Sequence, residues 1–157
     1  MCEITIVVIA MALVLAACTA VRGQEGTYCE TFEDGVPSYF EATRPEGLSA
    51  SPLHYKQGSK SLRWGWTGGE ELIIRHGIGD IARTGGFHCR TCFSVWMYVE
   101  KPTSGALVFE FREGEKVTGF FRFPLDYTGW RQARPYYHDF PHGEPTSGVD
   151  NIRLAAP

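Results

Sequence analysis

The side chains that could support catalysis in this sequence are carboxylates and histidines spread through its second half. Glycoside hydrolysis needs two carboxylates that flank the scissile bond, roughly 5–10 Å apart. Four carboxylates are available there, and no spacing among them singles out a pair: Glu110, Glu113, Glu115 and Asp126. A nucleophilic mechanism would need a serine or cysteine held against a histidine, and the proline-rich loop that carries His138 and His142 suggests no such pairing. The sequence therefore does not predict an independent enzyme.

A second group of residues could bind a sugar instead of cleaving one. The segment FSVWMYV at 93–99 alternates, so that Trp96 and Tyr98 occupy the face opposite its other apolar residues. Aromatic rings bind the apolar C–H surfaces of sugars, which makes these two residues candidates for an exposed sugar platform. Core packing is the alternative for every tryptophan. We expect it for Trp64 and Trp66, expect Trp130 in the core or at a corner, and leave both possibilities open for Trp96.

Basic residues lie close to these aromatic segments along the chain. Lys56, Lys60 and Arg63 fall within eight residues, and Arg75 lies on the next predicted strand. Ammonium and guanidinium groups bind sulfates and carboxylates through charge-assisted hydrogen bonds, and arginine can donate two at once. We therefore predict a carbohydrate-binding site made of six residues: Trp96, Tyr98, Lys56, Lys60, Arg63 and Arg75. The alternative is that the basic cluster is an ordinary solvated face.

The elements that would position these residues begin after an apolar leader. Residues 4–17 are almost wholly apolar, which is typical of a signal peptide and too short to cross a bilayer comfortably. We predict a signal peptide at 1–23 and a secreted, extracellular domain. The alternative is that the sequence LAAC ending at Cys18 is a bacterial lipobox, which would give a lipid-anchored or periplasmic protein. Without that lipid no membrane partner is expected.

Three cysteines remain after the predicted leader: Cys29, Cys89 and Cys92. An odd number in a secreted domain leaves at least one thiol unpaired or bonded to another chain. The HCRTC sequence at 88–92 suggests a metal or redox site, but a structural zinc site needs four ligands and no second pair has suitable spacing. We expect one bridge or buried thiols, with the pairing left open.

Short alternating segments fill the chain beyond the leader, separated by Gly, Pro, Ser and Thr. Seven of them predict strands: 61–66, 71–75, 93–99, 107–112, 120–123, 130–134 and 151–154. No stretch sustains a helical period over three turns. Strands that are apolar on one side must bury that side against a second sheet, so the pattern predicts one all-β sandwich domain. The net charge of −3 disfavours a nucleic-acid partner.

Five segments in the same order resemble the N-terminal domain of chondroitin sulfate ABC lyases, which are polysaccharide lyases that degrade glycosaminoglycans. They are FEDGVP at 32–37, SKSLRWGWTGG at 59–69, FSVWMYVEKP at 93–102, LDYTGWR at 125–131 and VDNIRLAAP at 149–157. The resemblance spans residues 28–157. It implies a jelly-roll β-sandwich similar to galactose-binding and carbohydrate-binding modules. In the family a further strand follows the position of Pro157, so the resemblance also implies a jelly roll that lacks its last strand.

The resemblance implies a role for the chain as well as a fold. In the family a separate α-helical toroid performs the β-elimination with a His, a Tyr, an Arg and a Glu, and this sequence contains no such region. No catalytic residue is therefore carried over. The chain is expected to be a non-catalytic accessory domain that binds a sulfated glycosaminoglycan and accompanies the toroid of a parent lyase. The alternative is a structural domain that packs on the toroid without touching sugar.

The family also holds a structural cation, calcium or magnesium, in this domain. The resemblance assigns ligand oxygens near Thr31, Gln57 and Lys60, and one aspartate on the strand beyond Pro157. A hard cation takes six to eight oxygens, with carboxylates among them. The three positions alone make a weak site, so we expect no required cofactor.

Overall fold

The computed structural model describes residues 5–12, 29–75, 92–136, 140–145 and 148–157, with the backbone alone for 5–12 and 29. The chain forms twelve strands and one short 3-10 turn in these residues. They are β1 (Thr5–Ala12), β2 (Cys29–Glu30), β3 (Phe40–Ala42), the 3-10 turn (Pro45–Gly47), β4 (Leu48–Ser51), β5 (Ser61–Trp66), β6 (Glu71–Ile74), β7 (Val95–Val99), β8 (Ala106–Glu113), β9 (Lys116–Pro124), β10 (Gly129–Ala133), β11 (His142–Gly143) and β12 (Asn151–Ala155). The described residues include no helix long and apolar enough to cross a membrane.

The strands form two antiparallel sheets. The first sheet has the order β10-β7-β1-β5-β4, with the short β2 paired to the end of β1. The second has the order β11-β9-β8-β12-β6-β3. All-β architecture with one-sided strands is what the alternating pattern predicts, and it is confirmed. The jelly-roll connectivity stays a prediction.

The core lies between the two sheets and is rich in aromatic side chains. Phe93, which precedes β7, packs with its ring centroid 5.9 Å from that of Phe109 on β8 and 5.3 Å from that of Phe111. The Phe109 ring stacks on Phe121 at 4.6 Å. Trp64 is fully buried and Trp66 nearly so, which confirms the core packing expected for both. Contacts between side chains of different sheets therefore hold the layers together.

All seven strands predicted from the alternation are present. β9 begins at Lys116, four residues before its predicted start, and the other ends differ by two residues at most. At β7, Phe93 and Ser94 are buried but lie before the strand. The Ser94 hydroxyl accepts a hydrogen bond from the Gln132 amide at 2.8 Å, a side-chain contact that periodicity does not encode. Four of the strands that the alternation did not predict have two to four residues each, too few to show a period: β2, β3, β4 and β11.

The remaining unpredicted strand, β1, falls inside the predicted leader. Its backbone pairs antiparallel with β5 through Thr5–Ile9 and with β7 through Val7–Met11. A run of β-branched residues suits a central strand, so the same apolar sequence fits a signal peptide and a strand in a sheet. Cleavage of residues 1–23 stays a prediction.

Candidate carbohydrate-binding surface

The outer face of the first sheet carries the aromatic residues singled out as a sugar platform. Along β7, Val95, Met97 and Val99 are buried, whereas Trp96 and Tyr98 between them are half-buried. This alternation follows from the period of two in a strand, whose successive side chains point to opposite faces. Trp96 and Tyr98 therefore face away from the core, as the sequence predicts.

A third aromatic residue lies beside them. Trp130 on β10 is directly opposite Tyr98 in the ladder, and the two rings meet edge to face with centroids 5.4 Å apart. We expected Trp130 in the core or at a corner, but it is half-buried and absent from the core cluster. β10 begins at Gly129, whose φ is +91°. Trp130 lies on the outer face because directly opposite residues of an antiparallel pair project to the same face, and its opposite residue is Tyr98.

The loop after β4 covers part of this aromatic row. The His54 ring stacks on Tyr98 with centroids 3.7 Å apart and planes 10° from parallel. His54 Nε2 also lies 3.8 Å from a carboxylate oxygen of Glu100. One face of the Tyr98 ring is thus covered by His54, and the ring also meets Trp130 edge to face. Tyr98 therefore packs against its aromatic neighbours more than it offers a free face to a sugar.

A lysine ammonium lies over the two tryptophans. Nζ of Lys56 is 4.5 Å from the centroid of a Trp96 ring and 5.0 Å from that of Trp130. Both distances are within the roughly 6 Å at which a cation is attracted to a π face. We call the five residues of this cluster the aromatic patch: His54, Lys56, Trp96, Tyr98 and Trp130.

Arg63 lies on the same face of the sheet as the aromatic patch. The ladder places Ser49, Arg63, Val8, Tyr98 and Trp130 opposite one another across five adjacent strands. Directly opposite residues in an antiparallel sheet project to one face, and strands are about 4.8 Å apart. The backbones of Arg63 and Tyr98 are thus roughly 10 Å apart. Arg63 is exposed, so its guanidinium could reach a ligand that extends along the row.

The structure places the other two predicted basic residues elsewhere. The Lys60 ammonium donates a 2.6 Å hydrogen bond to the backbone carbonyl of Glu33. Arg75 follows β6 in the second sheet and pairs with Glu41 at 2.9 Å. Of the six predicted residues, the structure thus brings four to one face: Trp96, Tyr98, Lys56 and Arg63. Their binding of a sugar stays a prediction.

Three residues of this surface were not predicted from the sequence. His54 and Trp130 belong to the aromatic patch, and the neighbouring Tyr55 is 50% exposed. Tyr55 and Leu53, which is 62% exposed, are the most exposed large apolar residues of the described chain. The mixture of aromatic and basic residues in LHYK at 53–56 is a signal that could have found this loop, but its fold onto β7 depends on tertiary contacts.

The loop at 57–60, to which the family resemblance assigns cation ligands, lies against Glu33. The Glu33 carboxylate accepts hydrogen bonds from the Ser59 N–H, the Ser59 hydroxyl and the Lys60 N–H, which lower the pKa of Glu33. A Cβ on Gly58 would collide with that carboxylate and lie 3.5 Å from Thr31 Cβ. Protein donors thus already occupy the Glu33 carboxylate, which lies against the 58–60 loop.

This donor set fits calcium or magnesium poorly. A hard cation needs several oxygens that are free to point at it. The Lys60 ammonium lies in the same loop and would repel a cation. The described ranges contain no group of three or more acidic, histidine or cysteine side chains arranged so that they could hold a metal ion. The absence of a required cofactor stays a prediction.

The cysteines and the carboxylates show no catalytic arrangement in the described residues. Cys92 is buried, and its sulfur accepts a hydrogen bond from Arg134 Nε at 3.3 Å; Cys89, His88 and His138 lie outside the described residues. Three of the four candidate carboxylates pair with arginine: Glu110 with Arg112, Glu115 with Arg153, and Asp126 with Arg131. His142 stacks on Phe120 at 4.4 Å. Cys92, these three carboxylates and His142 thus each have a structural partner.

Fold and surface together define an all-β sandwich domain with an aromatic and basic outer face. Residues 28–157 match the family model described as "Lyase, N terminal", and the chain belongs to that family. The resemblance to N-terminal lyase domains is thereby confirmed.

Curated relatives agree with this membership. The chain is 32% identical over 112 residues to a chondroitin sulfate ABC exolyase of Bacteroides thetaiotaomicron, which covers 70% of this chain and 11% of that protein. It is 29% identical over 128 residues to a chondroitin sulfate ABC exolyase of Proteus vulgaris, covering 80% of the chain and 12% of the relative. A chondroitin sulfate ABC endolyase of Proteus vulgaris is 30% identical over 103 residues, or 59% of the chain and 10% of that protein. The chain thus spans about a tenth of the length of these relatives.

Proposed function

We propose that this chain is an accessory domain of a secreted chondroitin lyase and that it binds sulfated glycosaminoglycan through the aromatic patch. The observation that carries the proposal is the position of the Lys56 ammonium over the rings of Trp96 and Trp130, on the outer face of a sheet. The family membership and the chondroitin lyases among the relatives support the same substrate class.

The chemistry of the aromatic patch matches a sulfated polysaccharide. A sulfate or uronate can hydrogen-bond to the Lys56 ammonium while the apolar face of the sugar ring packs on an indole. Arg63 lies farther along the row, where its planar guanidinium can take a second acidic group. One face therefore offers two cationic positions, and a polymer with repeated acidic groups can engage both.

Catalysis is assigned to another part of the lyase in this proposal. The chain corresponds to about a tenth of its relatives, and its described carboxylates are largely held in arginine pairs. The domain would hold the polymer while an α-helical toroid performs the β-elimination. We place it outside the cytoplasm on the strength of the apolar leader at 4–17.

One observation favours the alternative, a domain that packs on the toroid without touching sugar. Leu53 and Tyr55 are 62% and 50% exposed on the loop that also carries His54 and Lys56. Neighbouring exposed apolar side chains are common at protein interfaces. The same loop could thus meet protein instead of sugar, and the two proposals need separate measurements.

Retention on immobilised chondroitin sulfate over a series of salt concentrations tests the binding proposal. The Lys56→Ala/Arg63→Ala variant is expected to elute at clearly lower salt than the unmodified chain, because both cations contribute charge-assisted contacts that salt screens. Arg122→Ala/Lys116→Ala removes two exposed cations from β9 of the second sheet and is the matched control. Equal loss in both variants, or no retention of the unmodified chain at low salt, would contradict binding at the aromatic patch.

A further inference from the structure

The outer face that β7 and β10 share continues beyond the aromatic patch. Gln132 lies opposite Trp96 in the ladder between these strands. The isolated bridge between Cys92 and Tyr136 keeps the same register past the strand ends. Arg134, two residues after Gln132, therefore projects to the same face as Trp96, because alternate residues of a strand share a face.

Side-chain contacts agree with this direction of Arg134. Phe93 belongs to the core cluster, so its neighbours Cys92 and Ser94 point to the outer face. The Gln132 amide donates a 2.8 Å hydrogen bond to the Ser94 hydroxyl. The Arg134 Nε–H donates a 3.3 Å hydrogen bond to the sulfur of Cys92. The β10 side chains thus lie over the buried polar groups of the segment before β7.

The Arg134 guanidinium is anchored on one side and open on the other. Arginine has five N–H donors, and Nε is the one that Arg134 uses in a hydrogen bond among the described residues. The side chain is exposed, so the Nη groups face solvent. Within the described part of the chain Arg134 forms no ion pair with a carboxylate, unlike five other arginines: Arg44, Arg75, Arg112, Arg131 and Arg153.

We propose that Arg134 is a further subsite, which binds a sulfate or carboxylate of the polysaccharide held at the aromatic patch, and that the polymer runs along β10 from Trp130 toward Tyr136. The inference rests on the sugar binding proposed above, to which it adds a direction and a third cationic position. Paired N–H groups of a guanidinium suit the oxygens of either acidic group.

The spacing along β10 suits an extended polymer that carries repeated acidic groups. Arg134 is four residues from Trp130, which is about 13 Å of strand. Lys56, over Trp130, and Arg134 thus place cations at the two ends of this distance. The Gln132 carbonyl oxygen between them can accept a hydrogen bond from a sugar hydroxyl.

An aromatic ring lies at the far end of this path. Tyr136 is 39% exposed, and its ring centroid is 5.9 Å from Cζ of Arg134. Its apolar face can pack on the sugar that follows the acidic group bound by Arg134. A ligand must therefore cover several sugar units to contact both the aromatic patch and Arg134.

Chain-length dependence of binding tests the proposal, with a disaccharide and a hexasaccharide of chondroitin sulfate titrated into the full chain and followed by NMR. Arg134→Ala is expected to raise the dissociation constant for the hexasaccharide about fivefold, because one charge-assisted contact at an exposed site is lost. The dissociation constant for the disaccharide should stay within about twofold, because the shorter ligand does not reach Arg134.

Two further variants provide the comparison. Arg122→Ala removes an exposed arginine of β9 in the second sheet and is the matched control, so it should bind both ligands as the unmodified chain does. Arg134→Lys keeps the charge but not the planar pair of donors, and its affinity for the hexasaccharide should lie between those of Arg134→Ala and the unmodified chain. If Arg134→Ala does not fold, Arg134→Gln takes its place in the same comparison.

A desulfated hexasaccharide identifies the group that Arg134 binds. If Arg134→Ala weakens the binding of this ligand as well, the subsite takes the uronate carboxylate. If the effect of the substitution occurs with the sulfated ligand alone, the subsite takes a sulfate.

Three results would overturn the subsite. Equal weakening of disaccharide and hexasaccharide in Arg134→Ala would show that Arg134 acts only through the fold. Unchanged hexasaccharide binding in Arg134→Ala, with weakened binding in Lys56→Ala/Arg63→Ala, would exclude the subsite and leave the proposed function in place. No binding of either oligosaccharide to the unmodified chain would overturn both.

Discussion

The ammonium of Lys56 lies 4.5 Å from the centroid of a Trp96 ring, so that a cation from a loop covers an aromatic residue of a strand. The same Nζ is 5.0 Å from Trp130 on the neighbouring strand. A sugar that stacks on Trp96 must therefore move Lys56 aside or bind it through an acidic substituent. This geometry favours a polysaccharide with sulfate or carboxylate groups over a neutral one.

Trp96→Ala is expected to raise the dissociation constant for chondroitin sulfate about tenfold. The substitution removes the ring that a sugar would contact and one of the two π faces beneath Lys56, and interactions of this kind contribute about 1–2 kcal/mol. The dissociation constant from calorimetry is the measurement. Phe120→Ala on β9, a half-buried aromatic residue that stacks on His142 in the second sheet, is the matched control and should bind as the unmodified chain does. An unchanged affinity in Trp96→Ala would exclude the ring from the binding surface.

How far the sequence predicts this surface depends on whether its residues lie on one strand. The outward direction of Trp96 and Tyr98 follows from alternation along β7 alone. Trp130 was expected in the core or at a corner because its own segment, after a turn glycine, does not show which face it takes; its pairing with Tyr98 decides that. His54 was missed because its stack on Tyr98 joins residues 44 positions apart. Lys60 and Arg75 were included for their sequence proximity, which does not place them on one face.

Phe109→Ala is expected to lower the free energy of unfolding by about 3–5 kcal/mol. The Phe109 side chain is fully buried on β8, stacks on Phe121 and also meets Phe93, which precedes β7 of the other sheet. Truncation therefore leaves a cavity between the layers. Urea denaturation followed by tryptophan fluorescence measures the change. Val117→Ala, at a position that is 39% exposed, should change stability by less than about 1 kcal/mol. Similar losses in both variants would place Phe109 outside the cooperative core.

Glu70 is expected to make stability fall in acid. Hydrogen bonds from Arg44 at 3.0 Å and Thr67 at 2.7 Å lower the pKa of Glu70 from its ordinary value of 4.5. A lowered pKa in the folded state means that the stabilisation is present above pH 4.5 and is lost as the pH falls through the lower folded value. Urea midpoints between pH 6 and about 3 should therefore fall less steeply in Glu70→Gln than in the unmodified chain.

The control for this pH dependence is Glu46→Gln, which changes an exposed carboxylate in the 3-10 turn. It should keep the slope of the unmodified chain. A Glu70→Gln variant with an unchanged slope would show that the Arg44–Glu70 pair does not stabilise the charged carboxylate. Glu33, whose pKa is also lowered, contributes to the slope in both variants and so cancels from the comparison.

The fold was predictable where seven segments show a clear alternation, because each such strand buries one face and exposes the other. That signal is weak at β1, where the leader is apolar throughout and a period of two cannot be distinguished. The short strands β2, β3, β4 and β11 form because longer neighbours present open edges to them. β3 pairs with β6 over only three residues, and its own sequence, FEA, carries no period.

Removal of calcium and magnesium is expected to leave the melting temperature unchanged. The Glu33 carboxylate contacts the loop that carries the assigned ligand positions, and it already accepts hydrogen bonds from Ser59 and Lys60. A chelator therefore has no well-formed site to empty. Glu33→Gln, by contrast, should lower the melting temperature by a few degrees, since it weakens the contacts that hold the 57–60 loop. A drop of more than about 5 °C on chelation alone, reversed by calcium, would reinstate the cation site.

The chain on its own is expected to release no unsaturated uronate from chondroitin sulfate, as followed by ultraviolet absorbance. Elimination needs a base to take the proton beside the uronate carboxyl and an acid to protonate the leaving oxygen. The described carboxylates Glu110, Glu115 and Asp126 lie in arginine pairs instead of facing one another across a cleft. Product formation that survives Trp96→Ala but stops in a His138→Ala/His142→Ala variant would instead identify a catalytic centre in the loop near β11. Absence of product, together with retention on the polymer, is the result that an accessory binding domain requires.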